Sequence, residues 1–300
     1  MGEMILLMGH GSRDPDGVEE FRDLVAAVRA AAPRGWAIAA GVLEFAQPRV
    51  PSIQEAIDRC VADGADRILA VPMLLFNAGH AKEDMPAQIA RARIRHPGLN
   101  LRLIRPLGMH HALLELAEER LSDLDRQLAP GRLDETAVLL VGRGTSDAVA
   151  NGDFFKIGRL IWERNRYGLV ECGFAGTAEP LVPAGIERCV RLGARRILVL
   201  PYFINTGTLV KRIHSQARAA QAVYPGVEIV SGAHFGVHPK LVQLLLTRSE
   251  ARAGGIDEPD DGAIGSPWRY ARVKHHRHDA DTHHPDDIRP MLEPVEVVTE

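Results

Sequence analysis

The chain has 300 residues, room for one large or two small domains, with 46% hydrophobic and 25% charged residues. A formal net charge of -3 gives no basic footprint for nucleic acid, and no apolar run approaches the roughly 18–20 residues that span a bilayer. Aromatic residues make up only 5%, so aliphatic side chains must build the core, which suits parallel strands covered by helices.

In chain order, Met4–Met8 is a short apolar run suited to a buried strand, and it predicts a strand at the outset rather than a secretory leader. Val18, Phe21, Leu24, Val25 and Val28 follow at helical spacing. Trp36–Leu43 reads as a second strand, and Pro51 is placed in the first turn of a helix carrying Ile53, Ile57 and Val61. Arg67–Val71 is a third strand stopped by Pro72. Ala81–Arg95 reads as a helix, with Pro97-Gly98 beyond its end. Leu101–Ile104 is a fourth strand, and a helix runs through Leu113–Leu124. Strands alternating with helices predict an α/β fold, a parallel sheet flanked by helices.

The pattern then repeats. MILLMGHGS is echoed by AVLLVGRGTSD from Ala137, and Asp58–Gly79 by Glu187–Gly207. The segment HPGLNLRLIRPLGMHHALLELAEERL is echoed by YPGVEIVSGAHFGVHPKLVQLLLTR. Leu128–Thr136, with Pro and Gly and no apolar period, reads as a linker. Two similar modules are expected, at 1–128 and 137–250. Residues 253–300 hold many prolines and acids and few large apolar residues, the composition of a disordered tail. That tail also carries His275, His276, His278, His283 and His284, which suggests metal sequestration or delivery.

Ligands of parallel sheets bind beyond the C-terminal strand ends. Those ends carry Gly9-His10-Gly11-Ser12-Arg13, then Glu44-Phe45-Ala46-Gln47-Pro48, then Asn77-Ala78-Gly79-His80. Neutral imidazole is a good ligand for Co, Ni, Fe or Zn, and a carboxylate completes a metal site or accepts protons. The glycines beside His10 and before His80 are expected to permit sharp turns. His110 and His238 open matching helices and read as structural. Gly-x-Ser-x-Gly and GxxxxGK[ST] are absent, which leaves no case for an α/β-hydrolase or a P-loop. Cys60, Cys172 and Cys189 show no CxxC pairing and read as small core residues of a reduced, cytoplasmic protein.

LLMGHGSRDP, LEFAQP and VPMLLFNAGHAKEDMP together resemble the N-terminal half of the sirohydrochlorin cobaltochelatases, class II tetrapyrrole chelatases. LLVGRGTSD, GFAGTAEPLV and LPYFINTGTLVKRI look like the degenerate second half of the long, two-module members. The resemblance spans about residues 4–250. It implies a metal-free macrocycle in a cleft, with His10 and His80 binding the incoming metal and Glu44 assisting with the metal or with pyrrole protons. It implies Co2+ as the metal, with Fe2+ or Ni2+ open, and no other cofactor. Sirohydrochlorin is a polycarboxylate, so cations should line the cleft: Arg13, Lys82, Arg49 and Arg143 are candidates, with Ser12 beside them. The partners expected are the tetrapyrrole and the metal, without nucleic acid or membrane, and the oligomeric state is left open. A metal or tetrapyrrole carrier without turnover is the competing class.

Aligning the modules sets His10 against Arg143, Glu44 against Gly173 and His80 against Leu209. Arginine stays protonated and does not ligate a cation. One metal site per chain is therefore expected, with Arg143 either in an internal salt bridge or facing a substrate carboxylate.

Overall fold

Successive side chains of a strand point to opposite faces of its sheet, and here both faces are apolar. In the computed structural model, which describes residues 2–128 and 130–250, the first half runs β1 (Gly2–Gly9), α1 (Pro15–Ala31), β2 (Ala37–Val42), α2 (Ile53–Ala62), β3 (Ala65–Pro72), α3 (Met85–Arg95), β4 (Asn100–Leu103) and α4 (His111–Arg126). The second half runs β5 (Thr136–Gly142), α5 (Ala148–Arg164), β6 (Leu169–Phe174), α6 (Val182–Arg191), β7 (Arg196–Pro201), α7 (Thr208–Val223), β8 (Glu228–Ser231) and α8 (Pro239–Glu250). Each half forms a parallel four-stranded sheet of the same order, β2-β1-β3-β4 and β6-β5-β7-β8. The fold class is thus as expected, two parallel sheets flanked by helices.

Alternation divides the core into three layers. Ile5, Leu7, Leu69 and Val71 point inward to a central cluster, joined there by Val138, Leu140, Leu198 and Leu200 of the second sheet. Leu6, Met8, Ile68 and Ala70 point outward under α2 and α3. Leu139, Val141, Ile197 and Val199 do the same under α6 and α7. The last helices are exchanged: α4 lies against β7, while α8 lies against β3 and α1. Arg248 of α8 reinforces this by donating to the Leu107 carbonyl at 3.1 Å. The two sheets therefore share one interior and are held in a fixed relation, with their strand order reversing beside β1–β3 and β5–β7. In such sheets the strand ends at a reversal open as a ligand crevice.

Local signals start the helices that frame this crevice. Asp14 caps α1 by accepting from Asp16 N at 3.1 Å, with Pro15 at the first turn. Ser52 and Glu55 form a reciprocal capping box on α2. Pro51 thus stands before the cap, not in the first turn as its sequence position suggested, because the box fixes the start at Ile53. The helix expected from Ala81 begins instead as a π turn, His80–Asp84, closed by Met85 N donating to the His80 carbonyl, and α3 follows. The expectations for residues 253–300, disorder and a histidine tract, fall outside the described residues.

Candidate active site

The crevice is built first by what glycine permits. A Cβ on Gly9 would stand 2.5 Å from the Phe21 ring, so glycine lets β1 approach α1. Gly11 has φ 97°, a left-handed value that glycine adopts without strain, and a Cβ there would collide with the Glu44 carbonyl. The bare Cα lets the loop after β2 close onto the loop after β1. Leu43 N donates to Gly9 O at 3.0 Å and Glu44 N to His10 O at 2.9 Å. Gly79 differs from the sequence expectation: its φ of -39° and ψ of -56° are helical, and nothing lies within 4 Å of a Cβ built there. His80 is presented by the π turn, not by a sharp turn.

His10 and His80 follow neighbouring strands and meet edge to face, ring centroids 4.6 Å apart at 78°. Their Nε2 atoms are 3.1 Å apart. Each Nδ1 already has an acceptor: the Gly11 carbonyl for His10 at 3.1 Å, and Asp84 Oδ2 for His80 at 2.7 Å. Acceptors of that kind require an N–H, so both Nδ1 atoms donate and both Nε2 lone pairs face one another. A proton or a cation between them satisfies that arrangement. With metal–nitrogen bonds near 2.0–2.1 Å, an Nε2 separation of 3.1 Å corresponds to a bite of roughly 100°, near tetrahedral. Burial, and after it the Arg143 guanidinium, hold the His10 imidazole below its ordinary pKa, while Glu44 acts weakly the other way. The neutral, metal-binding form is thereby favoured. Among the described residues no set of three His, Cys, Asp or Glu gathers at metal-holding distance. Two imidazoles alone would leave the remaining coordination positions of an ion open.

The histidines line a cavity of about 790 Å³ walled by both halves. Its floor is aromatic: Phe76 approaches Phe154 and Tyr202 with centroids 6.1 and 6.2 Å apart. Of the residues expected from sequence, Ser12, Arg13 and Arg143 also line it. Ser12 Oγ accepts from Asp14 N at 3.0 Å, which shapes the entry to α1. Arg143 enters no ion pair among the described residues. Glu44 is exposed and lies outside the cavity lining, its backbone N–H hydrogen-bonded to the His10 carbonyl. Lys82 is outside the lining too, because it is drawn across to Asp147 of the other half. Arg49 pairs with Glu19 at 3.1 Å, away from the cavity.

The Lys82–Asp147 pair has a mirror. Lys211 meets Asp14 at 2.7 Å, and Asp14 and Asp147 are the caps of α1 and α5. Each half thus sends a lysine, from the first helical turn after its third strand, to the first helix cap of the other. Sequence reasoning missed this reciprocity, and also missed Asp84 and Phe45. The His-x-x-x-Asp spacing of HAKED was the available signal for Asp84. Registration by hydrogen bond also corrects one pairing of the repeat. Ala175 N donates to Gly142 O as Leu43 N does to Gly9 O, so Glu44 corresponds to Gly176 and not Gly173. Lys82 N and Lys211 N donate to Ala78 O and Gly207 O in the same way, which keeps His80 opposite Leu209. His110 and His238 accept from the backbone N of Ala112 and Lys240 as helix caps, at 3.1 and 3.2 Å. The three cysteines are free and buried, with burial pushing Cys60 up to about 11 and Cys172 and Cys189 up to about 12, so no thiolate is available for chemistry.

The CbiX family model matches residues 4–124 and, a second time, 137–252. A sirohydrochlorin cobaltochelatase of Priestia megaterium is 38% identical over 246 residues, covering 82% of this chain and 78% of the relative. A sirohydrochlorin ferrochelatase of the same organism is 26% identical, covering 81% and 88%. Among solved structures, the sirohydrochlorin chelatase SirB of Bacillus subtilis subspecies spizizenii, in complex with cobalt, superposes with a TM-score of 0.68 at 27% identity, covering 84% of this chain and 96% of that one. SirB from Bacillus subtilis with Fe3+ gives a TM-score of 0.70 at 27% identity, covering 85% and 96%. The double match, on the two halves that the fold itself repeats, shows that the chain belongs to the CbiX family.

Proposed function

We propose that this chain is a sirohydrochlorin chelatase that inserts Co2+, in a route to cobalamin-type tetrapyrroles. The observation that carries the reading is the His10–His80 pair, whose free Nε2 lone pairs face one another on the wall of a cavity large enough for a small organic ligand. In this reading His10 and His80 hold the ion while it loses water, and Asp84 keeps the His80 tautomer fixed. The macrocycle lies in the cavity, its carboxylates drawn by Arg13 and Arg143, with Ser12 on the same wall, while Lys82 stays paired with Asp147 outside the lining. Glu44, exposed beside His10, accepts the pyrrole protons as they leave. Residues 1–128 carry the metal chemistry, and 137–250 close the far wall as a second module that keeps the scaffold. The relatives named for cobalt and for iron both support chelation. Cobalt is chosen because the more similar of the two is a cobaltochelatase. The free, buried cysteines support work in the reducing cytoplasm, and among the described residues no helix is long and apolar enough to cross a membrane.

The test is metal insertion into sirohydrochlorin with protein far below substrate, run in parallel with Co2+, Fe2+ and Ni2+ and followed by absorbance. Many turnovers, fastest with Co2+, support the reading. Fastest turnover with Fe2+ or Ni2+ moves the assignment to that metal, and stoichiometric binding without turnover makes the chain a carrier.

A further inference from the structure

Phe45 is the one non-glycine with a left-handed backbone among the described residues, at φ 55°. A bulky L-residue there is a genuine outlier, and such conformations persist where the surroundings over-determine them, often at ligand sites. The surroundings do so here. The hydrogen bonds of Leu43 N and Glu44 N fix the chain before Phe45, and Gly11 makes the space that the Glu44 carbonyl fills. After it, Gln47 and Val50 exchange backbone hydrogen bonds at 2.9 and 2.8 Å. The conformation gains no core burial, since Phe45 remains 37% exposed. Its ring instead carries the Arg13 guanidinium, 4.6 Å from the centroid. Among the described residues no ion pair involves Arg13. Both side chains line the cavity of His10 and His80. The other half has no such pair, because hydrogen-bond registration sets Thr177 opposite Phe45 and Ser146 opposite Arg13.

We propose that Phe45 is a positioning residue whose ring holds the Arg13 guanidinium on the cavity wall as an anchor for a peripheral carboxylate of the tetrapyrrole. The inference rests on the chelatase reading above and adds a subsite to it. An exposed arginine samples many rotamers, and contact with an aromatic face restricts them. The edge of the planar guanidinium keeps its N–H donors free for a bidentate carboxylate. The strained loop is then what places the ring beside both the metal-binding histidine and the substrate.

The experiment titrates metal-free sirohydrochlorin into the full chain, with absorbance as the signal and cobalt insertion kinetics alongside. The variants are Phe45→Gly, Arg13→Ala and the two combined. Glycine accepts the left-handed backbone, so Phe45→Gly keeps the loop and removes only the ring. Phe45→Asn, which also tolerates that region, is the second variant, and circular dichroism confirms that each is folded. Each single change is expected to raise Kd and KM about five- to tenfold with kcat within about twofold. The combined change should be no worse than Arg13→Ala, and Phe45→Tyr should rescue. Unchanged Kd in folded Phe45→Gly and Phe45→Asn, or losses that multiply in the combined variant, overturn the proposal while leaving chelation standing. A parent chain that neither binds sirohydrochlorin nor turns it over overturns the chelatase reading and this inference with it.

Discussion

Gly11 and Gly79 stand beside His10 and His80, and the structure predicts opposite results for the same substitution at each. At Gly11, φ 97° is a region that an L-alanine enters at a cost of about 1–2 kcal/mol. Its methyl would also collide with the Glu44 carbonyl, which is backbone and cannot rotate away. Overpacking adds about 1–3 kcal/mol. Gly11→Ala should therefore destabilise by about 2–5 kcal/mol in total. It should also displace the loop carrying Glu44 and Phe45, and so slow metal insertion. At Gly79 the backbone is already helical and no atom lies within 4 Å of the new methyl. Gly79→Ala should stabilise by about 0.4–1 kcal/mol, by restricting the unfolded chain. Equilibrium urea unfolding measures both, as midpoint shifts at constant slope. A neutral Gly11→Ala, or a Gly79→Ala as damaging as its counterpart, would refute the account of how these loops are built.

Arg143→Met removes the second-largest influence depressing His10, so the His10 pKa should rise and the acid limb of metal insertion should move to higher pH, read by NMR titration of the ring and by rate. By linkage, the unfolded chain protonates this group first, so the parent chain loses stability as pH falls below about 6.5, and Arg143→Met loses less of it. Lys211→Met removes the main cause of the lowered Asp14 pKa. Its melting temperature should fall below that of the parent at pH 7, and the gap should close as pH drops through the carboxylate range. Equal gaps at pH 7 and pH 3 would show that the pair contributes no charge interaction. Phe154→Ala, in the cavity floor and 2% exposed, should lower stability by about 3–5 kcal/mol in urea titration, and a loss under 1 would contradict the shared interior.

The strands and the repeat were legible because burial on both faces writes itself into sequence as continuous aliphatic runs. β1, β3, β5 and β7 are such runs. The convergence of His10 and His80 was legible because both follow strands that any parallel sheet must place near one another. Glu44 was less so: it also follows a strand, but its side chain stays exposed because the loop turns at Phe45. A left-handed phenylalanine has no compositional signature. The exchange of α4 and α8 was hidden for a different reason. Helical periodicity tells which stripe is apolar but not which sheet will cover it, and the two sheets offer nearly equivalent surfaces. Lys82 was read as a substrate cation, whereas its partner Asp147 is 65 residues away and belongs to the other half. Only the closed arrangement of the two halves reveals that pairing.

The most direct test of the central claim is metal insertion by His10→Ala and His80→Ala, each at protein concentrations far below sirohydrochlorin. The account predicts a loss of at least about tenfold in rate for each, because one ligand of a two-imidazole site cannot position the ion alone. Circular dichroism should remain that of the parent, since His10 stands on a loop and His80 at the first position of a short π turn, both at the cavity wall. Near-parental turnover by either folded variant would contradict the account and move the metal chemistry away from this pair.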